Sequence, residues 1–311
     1  MAEARPDRRP ALIALDWGTS SLRAYLLGQD GEILDMIAGA KGIMQVADRD
    51  FAAVFEDVTR EWRRRWPALR AIAAGMIGSA QGWTEAKYLP CPADVDSLAG
   101  GLVATSGGEL MIVPGVAQYG TAANVMRGEE TQIAGALALE PALAPSSRIV
   151  LPGTHSKWVS VENGAIRDFS TYMTGELFAV LKTHSILGRF AKEGATADER
   201  ASSDAFRRGI EAARQSRDLG RLLFSARARV LTGGMTAGES LDYLSGLLIG
   251  DEIASATADG VPDRLTLIGD PALCRRYRAA LAMFGVTDVG EIENAAVAGL
   301  WRIARANGLT I

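Results

Sequence analysis

A short pattern that occurs twice constrains the fold of this chain more than any other feature. The first copy, Ile13–Ser21, is followed by an apolar run and a turn at Asp30 and Gly31, and the second, Ile149–Ser156, by a similar run and a turn at Asn163 and Gly164. Each copy predicts a strand, a tight Gly-Thr turn, a second strand and a hairpin turn. Two such hairpins can face each other across a cleft and offer backbone N–H groups and hydroxyls to one polyphosphate. The repeat therefore predicts a two-lobed phosphate-binding fold.

Composition narrows the class of protein further. The 311 residues suffice for two domains, and a formal net charge of −4 gives no support for a nucleic-acid partner. Two cysteines, Cys91 and Cys274, are too few for a disulfide framework, so a reducing compartment is the default. The two histidines, His155 and His184, cannot form a zinc site by themselves.

The chain divides into three predicted regions. Residues 1–10 are rich in Arg and Pro and lack an apolar core, so we expect a disordered tail rather than a signal peptide. Residues 11–145 form the first expected domain and residues 146–311 the second, with a linker near 142–147. Because no run of 18 apolar residues occurs, we expect no membrane span and a cytoplasmic protein.

Strands and helices alternate along both halves, which favours an α/β fold. The second half repeats the order of the first: three strands, a helix, a strand and a helix. Helical spacing is predicted at 51–66, 129–139, 175–187, 204–214, 241–253, 272–284 and 291–306. Single strands beyond the hairpins are predicted at 32–39, 70–77, 109–113, 166–172 and 265–268.

Asp16 ends an apolar strand just before the first turn. A half-buried carboxylate is costly without a partner, and a magnesium–nucleotide complex is one such partner, because Mg²⁺ prefers one or two carboxylates with waters and phosphate oxygens. Gly18 would let a phosphate approach the backbone, Thr19 and Ser20 would supply hydroxyls, and Arg23 lies in the next strand. The alternative is a hairpin turn closed by an Asx hydrogen bond.

The second turn offers matching chemistry. Gly153 and Thr154 correspond to Gly18 and Thr19, Ser156 adds a hydroxyl, and Lys157 can neutralise phosphate charge. His155 is a candidate base, although a histidine in a phosphate loop also serves as a hydrogen-bond donor.

Residues 127–132 open a predicted helix with two acidic residues. Glu129 and Glu130 are either partners of the helix dipole or a general base for a substrate hydroxyl. Arg127 is a candidate ligand for a substrate carboxylate, and Arg23 and Lys157 are further candidates.

Several loops are weaker candidates. Ser79, Gln81 and Trp83 follow a central strand, where open α/β sheets bind ligands, although an ordinary surface loop fits equally well. Glycine turns at Gly233, Gly234 and Gly269 can bracket an adenosine. Asp168 is either a magnesium ligand or an exposed strand residue.

Taken in order, these segments resemble the 2-dehydro-3-deoxygalactonokinase family of the actin/hexokinase superfamily. The Asp-x-Gly-Thr pattern is shared by the whole superfamily, whereas the Met-Arg-Gly-Glu-Glu-Thr-Gln and Pro-Gly-Thr-His-x-Lys-Trp-Val stretches look specific to this family. The resemblance covers residues 12–300, through the segments 14–24, 75–79 with 82–83, 124–132, 151–159, 173–177 and 244–250.

The resemblance implies two ribonuclease H-like domains with duplicated mixed sheets and a central cleft, the first on the substrate side and the second on the nucleotide side. It implies an ATP- and Mg²⁺-dependent kinase acting on the 6-hydroxyl of 2-dehydro-3-deoxy-D-galactonate. By analogy Asp16 positions magnesium and its water, and the glycines and threonines of both turns hold phosphates. The base matches Glu129 or Glu130, where many members of the superfamily carry Asp.

Two other functions stay open at this stage. A kinase of the same fold that acts on a neutral sugar would not need a carboxylate-binding arginine. A nucleotide-dependent sensor or assembly protein would need polymerising surfaces or a DNA-binding module, and no helix-turn-helix pattern precedes Ala11. For either kinase the partners are small molecules, with a homodimer left open.

Overall fold

The computed structural model describes residues 9–121, 123–190, 199–216 and 218–310. Most of the expected tail therefore lies outside the described residues. Its last residue does not belong to a tail, because Pro10 already begins the first strand.

Fourteen strands are found in the described residues. Their bounds are β1 (Pro10–Trp17), β2 (Leu22–Gly28), β3 (Ile33–Gly39), β4 (Ala71–Ala74), β5 (Leu89–Pro90), β6 (Val103–Ala104), β7 (Met111–Ile112), β8 (Val116–Gln118), β9 (Asn124–Met126), β10 (Ser146–Leu151), β11 (Ser156–Glu162), β12 (Ala165–Tyr172), β13 (Arg264–Leu267) and β14 (Asp288–Glu291).

Nine α-helices lie in the same described ranges. Their bounds are α1 (Phe51–Arg65), α2 (Val95–Gly100), α3 (Glu129–Leu139), α4 (Thr174–His184), α5 (Glu199–Gln215), α6 (Leu219–Leu231), α7 (Ser240–Ala256), α8 (Pro271–Met283) and α9 (Ala295–Asn307). None of the described helices is long and apolar enough to cross a membrane.

The first of two compact units comprises the described parts of Met1–Ser147, Val159–Phe169 and Ile292–Ile311. Its six-stranded sheet has the order β3-β2-β1-β4-β7-β6. Strand β1 lies in the middle, antiparallel to β2 and parallel to β4. This central position explains its nearly unbroken apolar sequence, because both faces of the strand are covered.

Helices cover the first sheet as their sequences predict. In α1 the buried residues Phe51, Phe55, Val58 and Trp62 recur at helical spacing, and the Asp50 carboxylate caps the helix by accepting a hydrogen bond from the Ala53 N–H. Helix α3 packs against α9, and Gly299 allows close contact because a Cβ there would lie 1.8 Å from the Thr131 carbonyl oxygen.

Helix α9 packs within the first unit, although the sequence placed residues up to 311 in the second domain. Its apolar stripe fits any sheet or helix of suitable shape, so the stripe alone does not identify the surface that it covers.

The second unit comprises Arg148–Trp158 and the described parts of Ser170–Glu291. The second sheet has the order β12-β11-β10-β13-β14, with β13 parallel to both β10 and β14. This order reproduces β3-β2-β1-β4-β7 of the first sheet. The predicted α/β fold with duplicated mixed sheets is thus confirmed.

Several elements lacked a usable sequence pattern. A small sheet with the order β5-β8-β9 lies in the first unit, and its strands have two or three residues each. Such strands are too short to show alternation. The sequence analysis also missed α2, α6 and β14, and it began α5 at 204 rather than Glu199.

Candidate active site

The first Gly-Thr turn joins β1 to β2 and is held by backbone hydrogen bonds. The Gly18 N–H donates to the Ser21 carbonyl at 2.9 Å, and the N–H of Ile43 donates to the Gly18 carbonyl at 3.0 Å. Thr19 and Ser20 are exposed. The turn is therefore held by its backbone while Thr19 and Ser20 remain accessible to solvent.

Asp16 lies at the end of β1, directly opposite Arg23 in the register with β2. The Asp16 carboxylate is 3.6 Å from Arg23 Nη1, and the aspartate side chain is 25% exposed. Burial raises the pKa of Asp16, and the charge of Arg23 opposes that shift. A carboxylate in this setting gains from a second cation.

Two glycines with positive φ bring the next elements against this turn. Gly75, at the end of β4, has φ +95°, and a Cβ there would lie 2.8 Å from the Trp17 carbonyl oxygen. Gly128 has φ +104°, and a Cβ there would lie 3.3 Å from the Gly75 Cα. The first turn, the end of β4 and the start of α3 consequently converge at one place in the first unit.

The two glutamates at the start of α3 differ in environment. Glu129 is partly buried and accepts a hydrogen bond from the Arg127 N–H at 3.0 Å. Glu130 is fully buried and accepts hydrogen bonds from the Gly128 N–H at 2.7 Å and the Thr131 hydroxyl at 2.9 Å. Both therefore satisfy backbone donors near the helix start, as the dipole interpretation expects.

Burial raises the pKa of Glu130 to about 7, and the charge of Glu129 adds to the shift. The hydrogen bonds from Thr131 and Gly128 oppose it. A carboxyl with a pKa near neutrality has the proton affinity that suits a general base.

Arg127 lies beside the same helix start, with its guanidinium against Ala86 and Tyr88. Its Nη2 donates to the Ala86 carbonyl at 2.6 Å, and its guanidinium lies 4.4 Å from the centre of the Tyr88 ring. Nε and Nη1 are covered, yet they have no hydrogen-bond partner among the described residues. Covered guanidinium N–H groups without an acceptor are costly, so an anionic ligand would relieve this site.

The predicted substrate loop follows β4. The Ser79 hydroxyl donates to the Met76 carbonyl at 2.7 Å, Gln81 is exposed, and Trp83 packs against Phe55 with ring centres 5.7 Å apart. Trp83 is thus partly buried and packs against the core of the first unit.

The second Gly-Thr turn joins β10 to β11 and is braced by the start of α4. Thr154 and His155 are exposed, whereas Ser156 is fully buried. A Cβ on Gly175 would lie 2.4 Å from the Gly153 carbonyl oxygen, and the Glu176 N–H donates to the Thr154 carbonyl at 3.0 Å. The helix start therefore packs directly on the turn.

His155 and Lys157 of this turn both have defined contacts. His155 Nε2 contacts the Glu176 carboxylate, which extends from the first turn of α4. Lys157 is 3% exposed, and its Nζ donates to the His155 carbonyl at 2.8 Å. Lys157 thus lies beneath the turn, where its charge still acts on a nearby anion through space.

A cavity of about 150 Å³ opens beside this turn within the second unit. Helices α4, α7 and α8 provide a mainly apolar lining, and Gly153 and Arg276 also line the cavity. The residues that line it are Gly153, Thr174, Gly175, Phe178, Ser245, Leu248, Ile249, Leu273, Arg276 and Tyr277.

The three predicted adenosine glycines separate into two places. Gly269 lies next to the second turn, since a Cβ there would lie 3.2 Å from the Pro152 carbonyl oxygen. Gly233 and Gly234 follow α6 and are not among the lining residues of the cavity. Asp168 is exposed and accepts a hydrogen bond from the Ser160 hydroxyl at 3.0 Å.

Comparison with known proteins identifies the family. The model of the 2-keto-3-deoxy-galactonokinase family matches residues 16–303. The chain belongs to this family. The prediction made from its motifs is thereby confirmed.

Relatives within this galactonokinase family match along nearly their whole length. A 2-dehydro-3-deoxygalactonokinase of Escherichia coli (strain K12) is 38% identical over 299 residues, which cover 94% of this chain and 97% of the relative. A crystal structure of a Sinorhizobium meliloti protein assigned the same activity is 39% identical with a TM-score of 0.87, covering 95% of this chain and 98% of that one.

A more distant likeness concerns the fold alone. The activator of the 2-hydroxyisocaproyl-CoA dehydratase from Clostridium difficile, with bound ADPNP, is 12% identical with a TM-score of 0.51 over 96% of each chain.

The sequence analysis of this galactonokinase-family chain missed one buried acid. Glu252, on α7, is 1% exposed and accepts hydrogen bonds from Trp158 Nε1 at 2.8 Å and the Tyr277 hydroxyl at 2.7 Å. Two adjacent acids, Asp251 and Glu252, interrupt the otherwise mainly apolar run 244–254 and were the available signal, because a buried acid requires partners.

Proposed function

We propose that this chain transfers the γ-phosphoryl group of ATP to the 6-hydroxyl of 2-dehydro-3-deoxy-D-galactonate. The observation that supports this proposal most directly is that Asp16, Gly75 and the Gly128–Glu130 segment meet in the first unit. Family membership supports the choice of reaction, and the partnerless N–H groups of Arg127 support an acidic substrate over a neutral sugar.

The site residues divide the chemistry among them. Glu130 accepts the proton of the 6-hydroxyl as that oxygen bonds to the γ-phosphorus and the bond to ADP breaks. Its pKa near 7 lets it hold this proton at neutral pH. Arg127 orients the substrate through its carboxylate. Because little covalent work falls to the protein in phosphoryl transfer, positioning and charge stabilisation supply most of the rate.

Asp16 is the residue that would hold Mg²⁺, through its water shell and the phosphates. The fit is chemical: the carboxylate is half-buried, burial raises its pKa, and Mg²⁺ favours sites with one or two carboxylates. When bound, the ion neutralises phosphate charge. No cluster of three or more His, Cys, Asp or Glu side chains suited to a metal occurs in the described ranges.

The nucleotide is assigned to the second unit and the sugar acid to the first. Three features support the nucleotide assignment. They are the solvent-exposed Thr154 and His155, the charge of Lys157, and the mainly apolar cavity next to Gly153. Arg127, Ser79 and Trp83 are assigned to the sugar acid, and Arg23 is assigned to keep Asp16 in place.

A coupled ADP-release assay tests the proposal on a panel of sugar acids and neutral sugars. We expect ATP turnover with 2-dehydro-3-deoxy-D-galactonate and little with neutral sugars of the same length. Equal turnover of acids and neutral sugars would reject the assigned substrate class while retaining kinase activity. Nucleotide-dependent filaments in light scattering, without sugar phosphorylation, would favour an assembly protein instead.

A further inference from the structure

Glu252 lies at the end of a chain of hydrogen bonds that begins at the second Gly-Thr turn. The Gly153 N–H faces Ser156 Oγ at 3.4 Å, Ser156 Oγ lies 2.8 Å from the Tyr277 hydroxyl, and that hydroxyl donates to Glu252 at 2.7 Å. All four residues belong to the second unit.

The direction of this chain follows from the chemistry of its last member. The Tyr277 hydroxyl donates its proton to a carboxyl oxygen of Glu252, which accepts. The tyrosine oxygen is then free to accept the proton of Ser156, and Ser156 Oγ in turn accepts from the Gly153 N–H. One buried acid therefore sets the orientation of each hydroxyl up to the turn.

The same carboxylate also holds the other side of the turn. Thr174 is the first residue of α4, and its hydroxyl donates to Glu252. The next two residues, Gly175 and Glu176, are those that pack on Gly153 and bond to the Thr154 carbonyl. Glu252 consequently connects both the strand that leaves the turn and the helix that braces it.

The surroundings of Glu252 favour a specific role over simple filling of the core. Its two oxygens receive hydrogen bonds from three neutral donors, Trp158, Thr174 and Tyr277. Thr174 and Tyr277 also line the cavity beside Gly153, so the network forms part of its wall. Burial raises the pKa of Glu252, and the hydrogen bonds from Thr174, Trp158 and Tyr277 oppose that shift.

We propose that Glu252 is a positioning residue for nucleotide binding, which holds the Gly153–Ser156 turn in the geometry that accepts the phosphates. It acts through Thr174 and Tyr277 and does not itself touch the nucleotide. The inference rests on the proposed assignment of the nucleotide to the second unit.

The first test compares Glu252→Gln with the wild type. The amide keeps the size of the side chain, but its N–H groups face hydroxyls that donate to Glu252 in the wild type. The donors and acceptors along the Tyr277–Ser156 chain are then no longer fixed. We expect the Kd for a non-hydrolysable ATP analogue, measured by titration calorimetry, to rise about tenfold. In the full assay KM for ATP should rise similarly, with KM for the sugar acid within about twofold.

Trp158→Phe is the matched control, because it removes one hydrogen bond to the same carboxylate and leaves in place the bonds through Tyr277 and Thr174. We expect a lower melting temperature and an unchanged Kd for the analogue. Tyr277→Phe, which interrupts the chain, should instead weaken analogue binding.

A conservative pair keeps the inference testable if Glu252→Gln fails to fold. Thr174→Val removes the hydroxyl that reaches Glu252, and Thr174→Ser restores it; only the serine variant should bind the analogue normally. Equal analogue affinity in all these variants, or an equal rise of both KM values, would overturn the inference. Absence of sugar-acid phosphorylation by the wild type would overturn the proposed function instead, since the calorimetry requires no acceptor.

Discussion

The two Gly-Thr turns share a backbone plan but differ in their electrostatics. Beside the first turn lies a partly exposed carboxylate, Asp16, whose ion pair with Arg23 remains open to solvent. Beneath the second turn lies a fully covered acid, Glu252, which accepts hydrogen bonds from two neutral hydroxyls and an indole N–H.

This difference shows how a duplicated fold acquires two roles. The strand order fixes where each turn lies, and the side chains at the strand ends decide its chemistry. In the first unit the partly exposed Asp16 suits a cation, and the buried Glu130, whose pKa is raised, suits a hydroxyl proton. In the second unit the exposed Thr154 and His155 suit phosphate oxygens. Substitutions in either unit can therefore separate chemistry from binding.

The largest expected effect is that of Glu130→Gln in the first unit. Loss of a general base costs about 10²- to 10⁴-fold in turnover, so kcat should fall by that factor while nucleotide binding persists. Glu129→Gln is the matched control and should keep most of the activity. Near-native turnover of the Glu130 variant would transfer the role to Glu129.

The raised pKa of Glu130 also predicts how the free energy of unfolding depends on pH. The Glu130 pKa of about 7 in the fold exceeds its ordinary 4.5, so the folded protein holds a proton that the unfolded chain has lost between these values. The contribution of this proton to the free energy of unfolding is fully present below pH 4.5. It is lost as the pH rises through 7, and the loss amounts to about 3 kcal/mol. Urea unfolding at pH 5 and pH 8 should therefore show a weaker pH dependence in Glu130→Gln than in the wild type; identical curves would contradict the raised pKa.

Asp16→Asn should produce the next largest effect. A misplaced reacting group costs about 10²-fold, and we expect kcat to fall by roughly that amount with a higher magnesium requirement. Asp57→Asn, on the exposed face of α1, is the control for the loss of one surface carboxylate. Unaltered activity across a magnesium titration would remove Asp16 from the proposed site.

Arg127→Ala should act mainly on the acidic substrate. A hydrogen bond to a charged group contributes about 1.5–3 kcal/mol, so KM for the sugar acid should rise by about 10- to 100-fold, with KM for ATP nearly unchanged. Arg60→Ala, on the surface of α1, controls for lost positive charge. If KM for the sugar acid stays the same, Arg127 does not bind its carboxylate.

The smallest effects are expected at the glycines of the two turns. A Cβ at Gly153 would meet no atom within 4 Å, and one at Gly18 only the Ser21 carbonyl at 3.7 Å, so the fold itself tolerates alanine at both positions. Close approach of a phosphate is the remaining reason for glycine. Each alanine variant should melt near the wild-type temperature but bind the ATP analogue a few-fold more weakly. By contrast Gly175→Ala should lower the melting temperature, because its Cβ would lie 2.4 Å from the Gly153 oxygen; equal analogue affinity in the turn variants would argue against phosphate contact.

The parts of the site that the sequence predicted are local in the chain. Asp16, Thr19 and Ser20 lie within one hairpin, and helix α3 begins at Glu129 as its first residues indicate. The assignment of Gly233 and Gly234 to an adenosine site lacked such support, since a glycine pair after a helix is also an ordinary helix end. It stays a prediction.

The sequence by itself determined the two hairpins, the alternation of strands and helices, and the family, because hydrophobic period and turn chemistry act between near neighbours. Only the tertiary structure placed Tyr277 beside Ser156, Glu252 beside Trp158, and α9 within the first unit. Those contacts join residues far apart in the chain, and they depend on which buried surfaces and hydrogen-bond partners fit together once the sheets have formed.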